Sequence, residues 1–260
     1  MPEPRARQIK RYGWVPDLPD ARDVLYAAPP QYLADLPTSV SLRDQCPPDV
    51  YDQGQLGSCT ANGIAAAFEF DLLKQQAADF MPSRLFIYYN ERAMEGTVDS
   101  DSGAMIRDGI KSVSKQGVCH EDEWKYDISA FAQKPPDNLY TEALSHKVTS
   151  YQRVPRVLNQ MKGCLAHGYP FVLGFSVYES FESQEVATTG EVPMPDIANE
   201  QLLGGHCVLA VGYDDATQRF LCRNSWGEGW GDGGYFTMPY AYLTDRSLAS
   251  DFWAILQVQS

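Results

Sequence analysis

Apolar residues recur at helical spacing in three segments of the first half of the chain. The clearest repeat predicts a helix over 58–76, with Ser58 as the capping residue at its start. The pair Pro82-Ser83 is a typical start signal for a second helix, which continues through 85–89. A third helix is expected over 104–114. The first half is therefore predicted to be mostly helical.

The second half shows short runs of apolar, aromatic and β-branched residues, separated by Gly, Pro and Asp. Runs of this kind are typical of strands. One short helix over 157–165 comes first, and the predicted strands are 170–178, 207–213, 219–223, 234–238 and 252–258. Helices first and strands second predict an α+β fold with a helical lobe, a β lobe and a cleft between them.

Prolines indicate where the parts of the chain meet. Repeated prolines interrupt residues 1–35, so we expect an extended arm without a helix there. Residues 131–155 contain two adjacent prolines and little periodicity, which is typical of a crossover between lobes. The predicted organisation is an arm over 1–35, a mainly helical lobe over 36–147 and a mainly β lobe over 148–260.

The charge balance narrows the range of partners. The chain has 34 Asp and Glu against 21 Lys and Arg, a net charge of −13, whereas nucleic-acid binding requires a basic face. No run approaches the roughly 18 apolar residues of a membrane span, so no membrane partner is predicted. Basic residues near the start are not followed by an apolar stretch, so we predict no secretory signal and a protein that stays inside the cell or leaves by a non-classical route. We expect a monomer.

Six cysteines are present, at positions 46, 59, 119, 164, 207 and 222. An even count is a weak argument for a disulfide framework in a chain of this length. Cys207 and Cys222 lie in apolar strand-like runs, where buried free thiols are expected. The one pairing that loop-like surroundings permit is Cys46 with Cys119. No group of His and Cys has zinc spacing, so we predict no metal and no other cofactor.

Three motifs carry candidate chemistry. Cys59 ends a glycine-punctuated turn that begins at Gln53, and it starts the first predicted helix, where free N–H groups and the helix dipole favour a thiolate. His206 follows a glycine pair at the start of a strand, and Asn224 lies among Trp and Gly. This chain order fits a nucleophile, a base and an orienting residue, although each residue taken alone is more often a core or turn residue.

These motifs resemble those of the papain-like cysteine peptidases, and among them the compact bacterial members. The likeness runs from residues 36–43, which are similar to the mature start of papain, through 53–59 to the histidine and asparagine motifs. It departs at Leu56, where papain relatives have a cysteine, and at Thr60, where they have Trp or Tyr. The resemblance implies a two-lobed papain-like fold and a cysteine endopeptidase that acts on proteins or peptides.

The resemblance also implies roles for particular residues. Cys59 would be the nucleophile, His206 the base and Asn224 the residue that orients the imidazole. Gln53 lies six residues before the cysteine, at the family's oxyanion position. Trp226 would shield the bond between the imidazole and the asparagine from water.

The candidate substrate contacts follow from the same resemblance. Ser102 and Gly103 would pair with the backbone of an extended peptide. A roomy apolar pocket is expected for the residue two before the scissile bond, unless Tyr178, Met194 or Tyr240 fills it. The further candidates that line the cleft or this pocket are Gly57, Ser58, Ala104, Met105, Gly174, Gly204, Gly205 and Trp226.

Two other functions and two positions of the arm stay open. The same triad would serve another thiol acyl-transfer hydrolase, deubiquitinase-like or transglutaminase-like, and a catalytically silent relative could serve binding alone. The arm over 1–35 is shorter than the helical proregion of larger papain relatives. We expect it either to lie across the cleft as an inhibitory segment or to pack on the body as a strap.

Overall fold

The computed structural model describes residues 6–260; the first five residues of the predicted arm lie outside this range. Short 3₁₀ turns occur at Arg43–Gln45, Ile128–Ala130 and Glu179–Glu182. No helix in the described part is long and apolar enough to cross a membrane. The α-helices are α1 (Pro30–Ala34), α2 (Cys59–Lys74), α3 (Arg84–Glu95), α4 (Ile106–Gln116), α5 (Asp137–Ala143), α6 (Leu158–Ala166), α7 (Gln184–Thr189) and α8 (Tyr240–Thr244).

The strands are β1 (Ser39–Ser41), β2 (Lys147–Arg153), β3 (Phe171–Tyr178), β4 (Leu202–Asp214), β5 (Arg219–Arg223), β6 (Tyr235–Pro239) and β7 (Ala249–Gln259). They form one antiparallel sheet in the order β2-β7-β3-β4-β5-β6, with β1 paired to β4. The strand β4 is long enough to pair its first part with β3 and its second part with β5. His206 lies opposite Phe175 in the first of these ladders.

Helix α2 is the central element between the two lobes. It packs against α3 and α4 on one side and against β4 and β7 on the other. Every residue from Cys59 to Leu72 is buried, so the helix is enclosed all round rather than amphipathic. Because both lobes pack on this helix, its first residue is held at the junction between them.

The predicted α+β two-lobed fold is confirmed, as are the four predicted helices and five predicted strands. Ser83 caps α3, since its hydroxyl accepts the N–H of Phe86 at 3.2 Å. The prediction that Ser58 caps α2 is wrong, because its side chain makes no capping bond. The Ser58 hydroxyl is instead bonded to the hydroxyl of Tyr126.

The prediction that the arm contains no helix is also wrong. The short helix α1 begins at Pro30, directly after Pro29. Proline is tolerated in the first turn of a helix, because the N–H that it lacks would have no intrahelical partner there. Two adjacent prolines therefore start this helix rather than prevent it.

The crossover predicted over 131–155 contains regular structure that the sequence pattern did not indicate. Helix α5 begins directly after Pro136, and β2 occupies 147–153 and pairs with β7. Elements as short as α5, α7, α8 and β1 hold too few residues to reveal a period. The strand β1 lies inside the predicted helical lobe but pairs with β4 of the sheet.

The possible pairing of Cys46 with Cys119 is not formed. All six cysteines are free and buried. Cys46 follows the 3₁₀ turn at 43–45, whereas Cys119 accompanies the strand-like bridge between Pro82 and His120. The loop-like sequence around both cysteines therefore did not reveal that their thiols are packed in the interior.

We expect Ser83→Ala to lower the free energy of unfolding by about 1–2 kcal/mol, because the α3 cap and the bond from the Ser83 hydroxyl to the Trp124 carbonyl (2.7 Å) are lost together. Urea unfolding measures the change. Ser145→Ala, at an exposed position, is the control and should change stability by less than about 0.5 kcal/mol. Equal effects of the two substitutions would contradict the role of the cap.

Candidate active site

Cys59 is the first residue of α2 and is completely buried. Backbone N–H groups of Cys207, Gly13 and Thr60 point at its sulfur. Burial nevertheless dominates and raises the pKa of the thiol to about 12, although these N–H groups act in the opposite direction. In the state described, with the arm in place, the thiol form is favoured.

His206 is held in one orientation inside the sheet. Its Nε2 lies 2.8 Å from Oδ1 of Asn224, and that oxygen also accepts the N–H of Ser225 at 2.9 Å. Because the oxygen accepts both bonds, Nε2 of the imidazole carries the hydrogen. Within residues 6–260 the buried Nδ1 has no hydrogen-bond partner. Burial lowers the pKa of His206 to about 4, against the raising effect of the bond to Asn224.

Aromatic rings enclose the imidazole. The ring of Trp226 stacks on His206 at a centroid distance of 5.2 Å and an interplanar angle of 30°. Phe175 and Phe181 meet the imidazole edge-on at 5.7 and 6.1 Å. The imidazole and its bond to Asn224 are therefore surrounded by apolar ring surface.

The loop that carries Gln53 is bonded to the segment that carries Asn224. The N–H of Gln53 donates to the Ser225 carbonyl at 2.9 Å, and the Ser225 hydroxyl donates to Oε1 of Gln53 at 2.6 Å. The Nε2 of Gln53 donates to the Leu56 carbonyl at 3.0 Å. Both ends of the amide are thus fixed, and one N–H of its NH₂ group is left over.

The arm lies across the cleft and bonds to both lobes. Ala104 donates its N–H to the Gly13 carbonyl at 2.8 Å and accepts the N–H of Val15 at 3.0 Å. On the opposite side the N–H of Trp14 donates to the Gly205 carbonyl at 2.8 Å. A Cβ on Gly13 would lie 1.7 Å from the Gly57 carbonyl oxygen, so only glycine fits this close approach.

Two aromatic residues of the arm occupy the space beside the glycines that the sequence analysis selected. A Cβ on Gly174 would lie 2.0 Å from the Trp14 ring, and one on Gly205 would lie 2.6 Å from it. A Cβ on Gly204 would lie 2.8 Å from Cβ of Tyr12. Trp14 therefore packs against Gly174 and Gly205, and Tyr12 packs against Gly204.

Charged groups bind the arm where it leaves the cleft. Arg7 donates to the Asp52 carboxylate at 2.6 Å and to the carbonyls of Gly54 and Trp226 at 2.9 and 3.2 Å. Glu182 accepts the N–H of Ile9 at 2.9 Å and the Tyr12 hydroxyl at 2.7 Å. Neither Tyr12, Trp14 nor Glu182 was found from the sequence, although a glycine between two aromatic residues was an available signal.

The later part of the arm is a strap on the body. Asp23 forms a buried ion pair with Arg107 at 2.6 Å and a second ion pair with the partly exposed Arg153 at 3.1 Å. The N–H of Asp17 donates to the Asp251 carboxylate at 2.8 Å. The arm thus takes both of the expected positions, each with a different part. Residues 6–15 lie in the cleft, and residues 17–28 pack on the body.

Two of the other candidate side chains bond within the helical lobe. The hydroxyl of Ser58 bonds to that of Tyr126, and the hydroxyl of Ser102 donates to that of Thr97 at 2.9 Å. The backbone N–H of Met105 donates to the Glu95 carboxylate at 2.8 Å. The arm pairs with Ala104 rather than with Ser102, and it packs against Gly103, at which a Cβ would lie 2.2 Å from the Gly13 carbonyl oxygen.

Comparisons with known proteins identify the family. The model of the family described as papain family cysteine protease matches residues 36–251. The chain belongs to the papain family of cysteine proteases. It is 42% identical to the peptidase C1-like protein L477 of Acanthamoeba polyphaga mimivirus, over 96% of this chain and 88% of that protein.

Solved structures agree with this assignment. Xylellain, a cysteine protease from Xylella fastidiosa, is 46% identical, with a TM-score of 0.89 over 99% of this chain and 98% of that chain. Digestive procathepsin L 3 of Tenebrio molitor shares the fold at 19% identity, with a TM-score of 0.70 over 91% of this chain and 75% of that chain. The predicted closeness to compact bacterial members is confirmed.

This papain-family protease has a buried acid directly behind its candidate nucleophile. Thr60, at the position where relatives carry an aromatic residue, donates its hydroxyl to Oε1 of Glu91 at 2.6 Å. Burial raises the pKa of Glu91 well above its usual value of 4.5, although the bond from Thr60 lowers it. No local pattern in the sequence indicated this pair, because the two residues lie on different helices.

We expect Glu91→Gln to remove a pH-dependent cost of folding. Folded Glu91 keeps its proton above pH 4.5 while the unfolded chain releases it, so the free energy of unfolding of the parent falls by up to about 1.4 kcal/mol per pH unit from pH 4.5 upward, until the raised folded pKa is reached. Urea unfolding from pH 5 to 8 should therefore show a stability advantage of Glu91→Gln that grows with pH. Exposed Glu185→Gln is the control. If the difference in the free energy of unfolding between the parent and Glu91→Gln stayed constant from pH 5 to 8, Glu91 would be ionised in the folded protein.

Proposed function

We propose that this papain-family protease is an endopeptidase with a Cys59–His206–Asn224 triad. The observation that carries the proposal is the environment of His206. One imidazole nitrogen is bonded to Asn224 while the other is free, and the N–H of the next residue, Cys207, points at the Cys59 sulfur. The free Nδ1 is then the atom that exchanges a proton with the thiol.

The reaction divides peptide hydrolysis into two acyl transfers. The Cys59 sulfur attacks the substrate carbonyl carbon, and Nδ1 of His206 carries the thiol proton to the leaving amine as the C–N bond breaks. Water then attacks the thioacyl carbon, giving one proton to the imidazole. The second product is a carboxylic acid, and the proton returns to the sulfur. Asn224 keeps the imidazole oriented through both steps.

Gln53 supplies one donor for the oxyanion. Its amide is fixed between the Leu56 carbonyl and the Ser225 hydroxyl, and the remaining N–H together with the backbone N–H of Cys59 would stabilise the negative oxygen. A donor that is fixed before the reaction needs no reorganisation in the transition state. This favours Gln53 over Gln55 as the oxyanion donor, because the Gln55 side chain bonds to the arm instead.

We further propose that residues 6–15 inhibit the enzyme in this state. The Gly13 carbonyl accepts its bond from Ala104, so it is turned to the wall of the cleft and away from Gln53. The backbone N–H of Gly13 lies at the sulfur and lowers the pKa of the thiol. The arm therefore occupies the substrate position without presenting a bond for attack.

The arm also opposes ionisation of the catalytic pair. Burial raises the pKa of Cys59 to about 12 and lowers that of His206 to about 4, so the neutral pair is favoured over thiolate and imidazolium. Removing the arm would restore water to the cleft and reduce both shifts. Inhibition is thus both steric and electrostatic.

The pocket that holds Trp14 would receive the substrate residue two before the scissile bond. Gly174 and Gly205 leave room for an indole ring, and within residues 6–260 the buried indole N–H of Trp14 has no hydrogen-bond partner. We therefore propose that substrates with large aromatic or apolar residues at that position are preferred.

In the Trp14→Ala protein, which opens the cleft, we expect Cys59→Ala to abolish peptide hydrolysis and His206→Ala to be nearly as damaging, because every turnover uses both groups. Gln53→Ala should lower kcat by about 10²–10³-fold and leave a measurable rate. Asn224→Ala should also leave a residual rate. Initial rates on a fluorogenic peptide measure these losses, with Gln55→Ala as the matched control. Turnover by Cys59→Ala would end the proposal.

Trp14→Ala in the full-length protein should raise kcat/KM on short peptides by about 10- to 100-fold, because burying a large apolar side chain supplies about 1.5–3 kcal/mol of arm binding. Alkylation of Cys59 should also begin at lower pH than in the parent. Leu18→Ala is the control, because this arm residue is 69% exposed. The substitution should change neither kcat/KM nor the pH at which Cys59 is alkylated. Equal rates per titratable thiol in Trp14→Ala and parent would assign the arm to structure alone.

A further inference from the structure

Two imidazoles and a carboxylate converge on the surface of the helical lobe. His120 forms an isolated antiparallel bridge with Pro82, Glu142 lies in the last turn of α5, and His146 directly precedes β2. One ligand atom from each of the three lies within 4.8 Å of the other two. The cluster uses no residue of the catalytic cleft.

Backbone bonds hold the three residues in this arrangement. The N–H of Val118 donates to the His146 carbonyl at 3.0 Å, and the N–H of His146 donates to the Ala143 carbonyl at 2.9 Å. The segments that carry the two histidines and the end of α5 are therefore fixed to one another. Side-chain groups that converge on such a fixed backbone are already arranged for a common ligand.

One aromatic ring orients both imidazoles. Phe80 stacks on His120 with centroids 4.1 Å apart and an interplanar angle of 6°, and it packs against His146 at 4.6 Å. The two imidazole rings meet edge to face at 5.2 Å. An apolar wall behind two imidazoles directs their nitrogens to the remaining open side.

The cluster leaves ligand atoms without partners. Within residues 6–260, Nδ1 of His146 is buried and has no hydrogen bond. Glu142 is in hydrogen-bond contact with a second carboxylate, that of Glu123. No ion pair of either glutamate with a Lys or Arg forms in this part of the chain. A divalent cation would give the carboxylates and the free nitrogen a common partner.

We propose that His120, Glu142 and His146 bind a divalent transition-metal ion of the zinc class, with Glu123 positioned to supply a fourth ligand or to accept a hydrogen bond from bound water. Two imidazole nitrogens with carboxylate oxygen suit Zn²⁺ and its neighbours, whereas Ca²⁺ and Mg²⁺ take oxygen ligands. His120 precedes the other two ligands by 22 and 26 residues (142 − 120 and 146 − 120), so no short-spacing motif indicated the site.

The ion would close the segment 120–146 into a loop. This segment carries Tyr126, whose hydroxyl donates to the Gln53 carbonyl at 2.8 Å. Metal binding to the folded state alone stabilises that state by mass action. The site is therefore structural. We expect metal binding to change the stability and the absorption spectrum of the protein rather than its turnover rate.

The test uses the full-length protein with Cys59→Ala, which removes the catalytic thiol as a competing ligand. Co²⁺ should give visible d–d absorption at one equivalent, and Zn²⁺ should abolish it. Zn²⁺ should also raise Tm. His120→Gln, His146→Gln and Glu142→Gln should each weaken Co²⁺ binding by more than about tenfold, because even residues that only support ligands cost that much when lost.

His167→Gln is the matched control, since it removes another of the four histidines and leaves the cluster intact. It should bind Co²⁺ as tightly as the parent. The proposal is overturned if the parent shows neither Co²⁺ absorption nor a Tm increase with Zn²⁺, or if the three cluster variants keep the parent affinity. If a histidine variant does not fold, Glu142→Gln and the Tm response of the parent still decide the outcome.

Discussion

The pairing between residues 51–53 and residues 225–227 is the contact on which the arrangement of the candidate active site depends. It brings the loop before α2 against the turn after β5, through bonds between Gln53 and Ser225 and from the Gly227 N–H to the Tyr51 carbonyl at 2.9 Å. The Gln53–Ser225 end of this ladder holds the proposed oxyanion donor close to Asn224, whose side chain bonds to His206. Because both sets of groups share one ladder, a displacement of either lobe would disturb both at once.

Buried arginines hold the irregular segments around this ladder. Arg223 extends from β5 to the carbonyls of Pro47 and Asp49, and Arg92 extends from α3 to those of Val98, Ser100 and Phe131. A guanidinium has five N–H donors, so it can satisfy several loop carbonyls that no strand or helix pairs. These loops keep a fixed shape without regular secondary structure, and the cleft keeps its walls.

Burial has opposite consequences for structure and for chemistry in this protein. The enclosure that fixes Cys59 and His206 also disfavours their charged forms, and the arm completes that enclosure. Strap residues such as Asp23 anchor the arm through ion pairs with the buried Arg107 and the partly exposed Arg153. The cleft segment is therefore attached to a well-fixed strap, which keeps it at high effective concentration beside Cys59 and His206.

The sequence by itself determined the α+β fold and the candidates Cys59, His206 and Asn224, because helical and strand periods, glycine turns and a helix start are local properties of the chain. Only the tertiary structure decided that Trp14 fills the pocket beside Gly174, that Thr60 bonds to Glu91, and that the histidine cluster forms on the helical lobe. These contacts join residues far apart in the chain. Their existence depends on how the helices and strands pack, which no local pattern records.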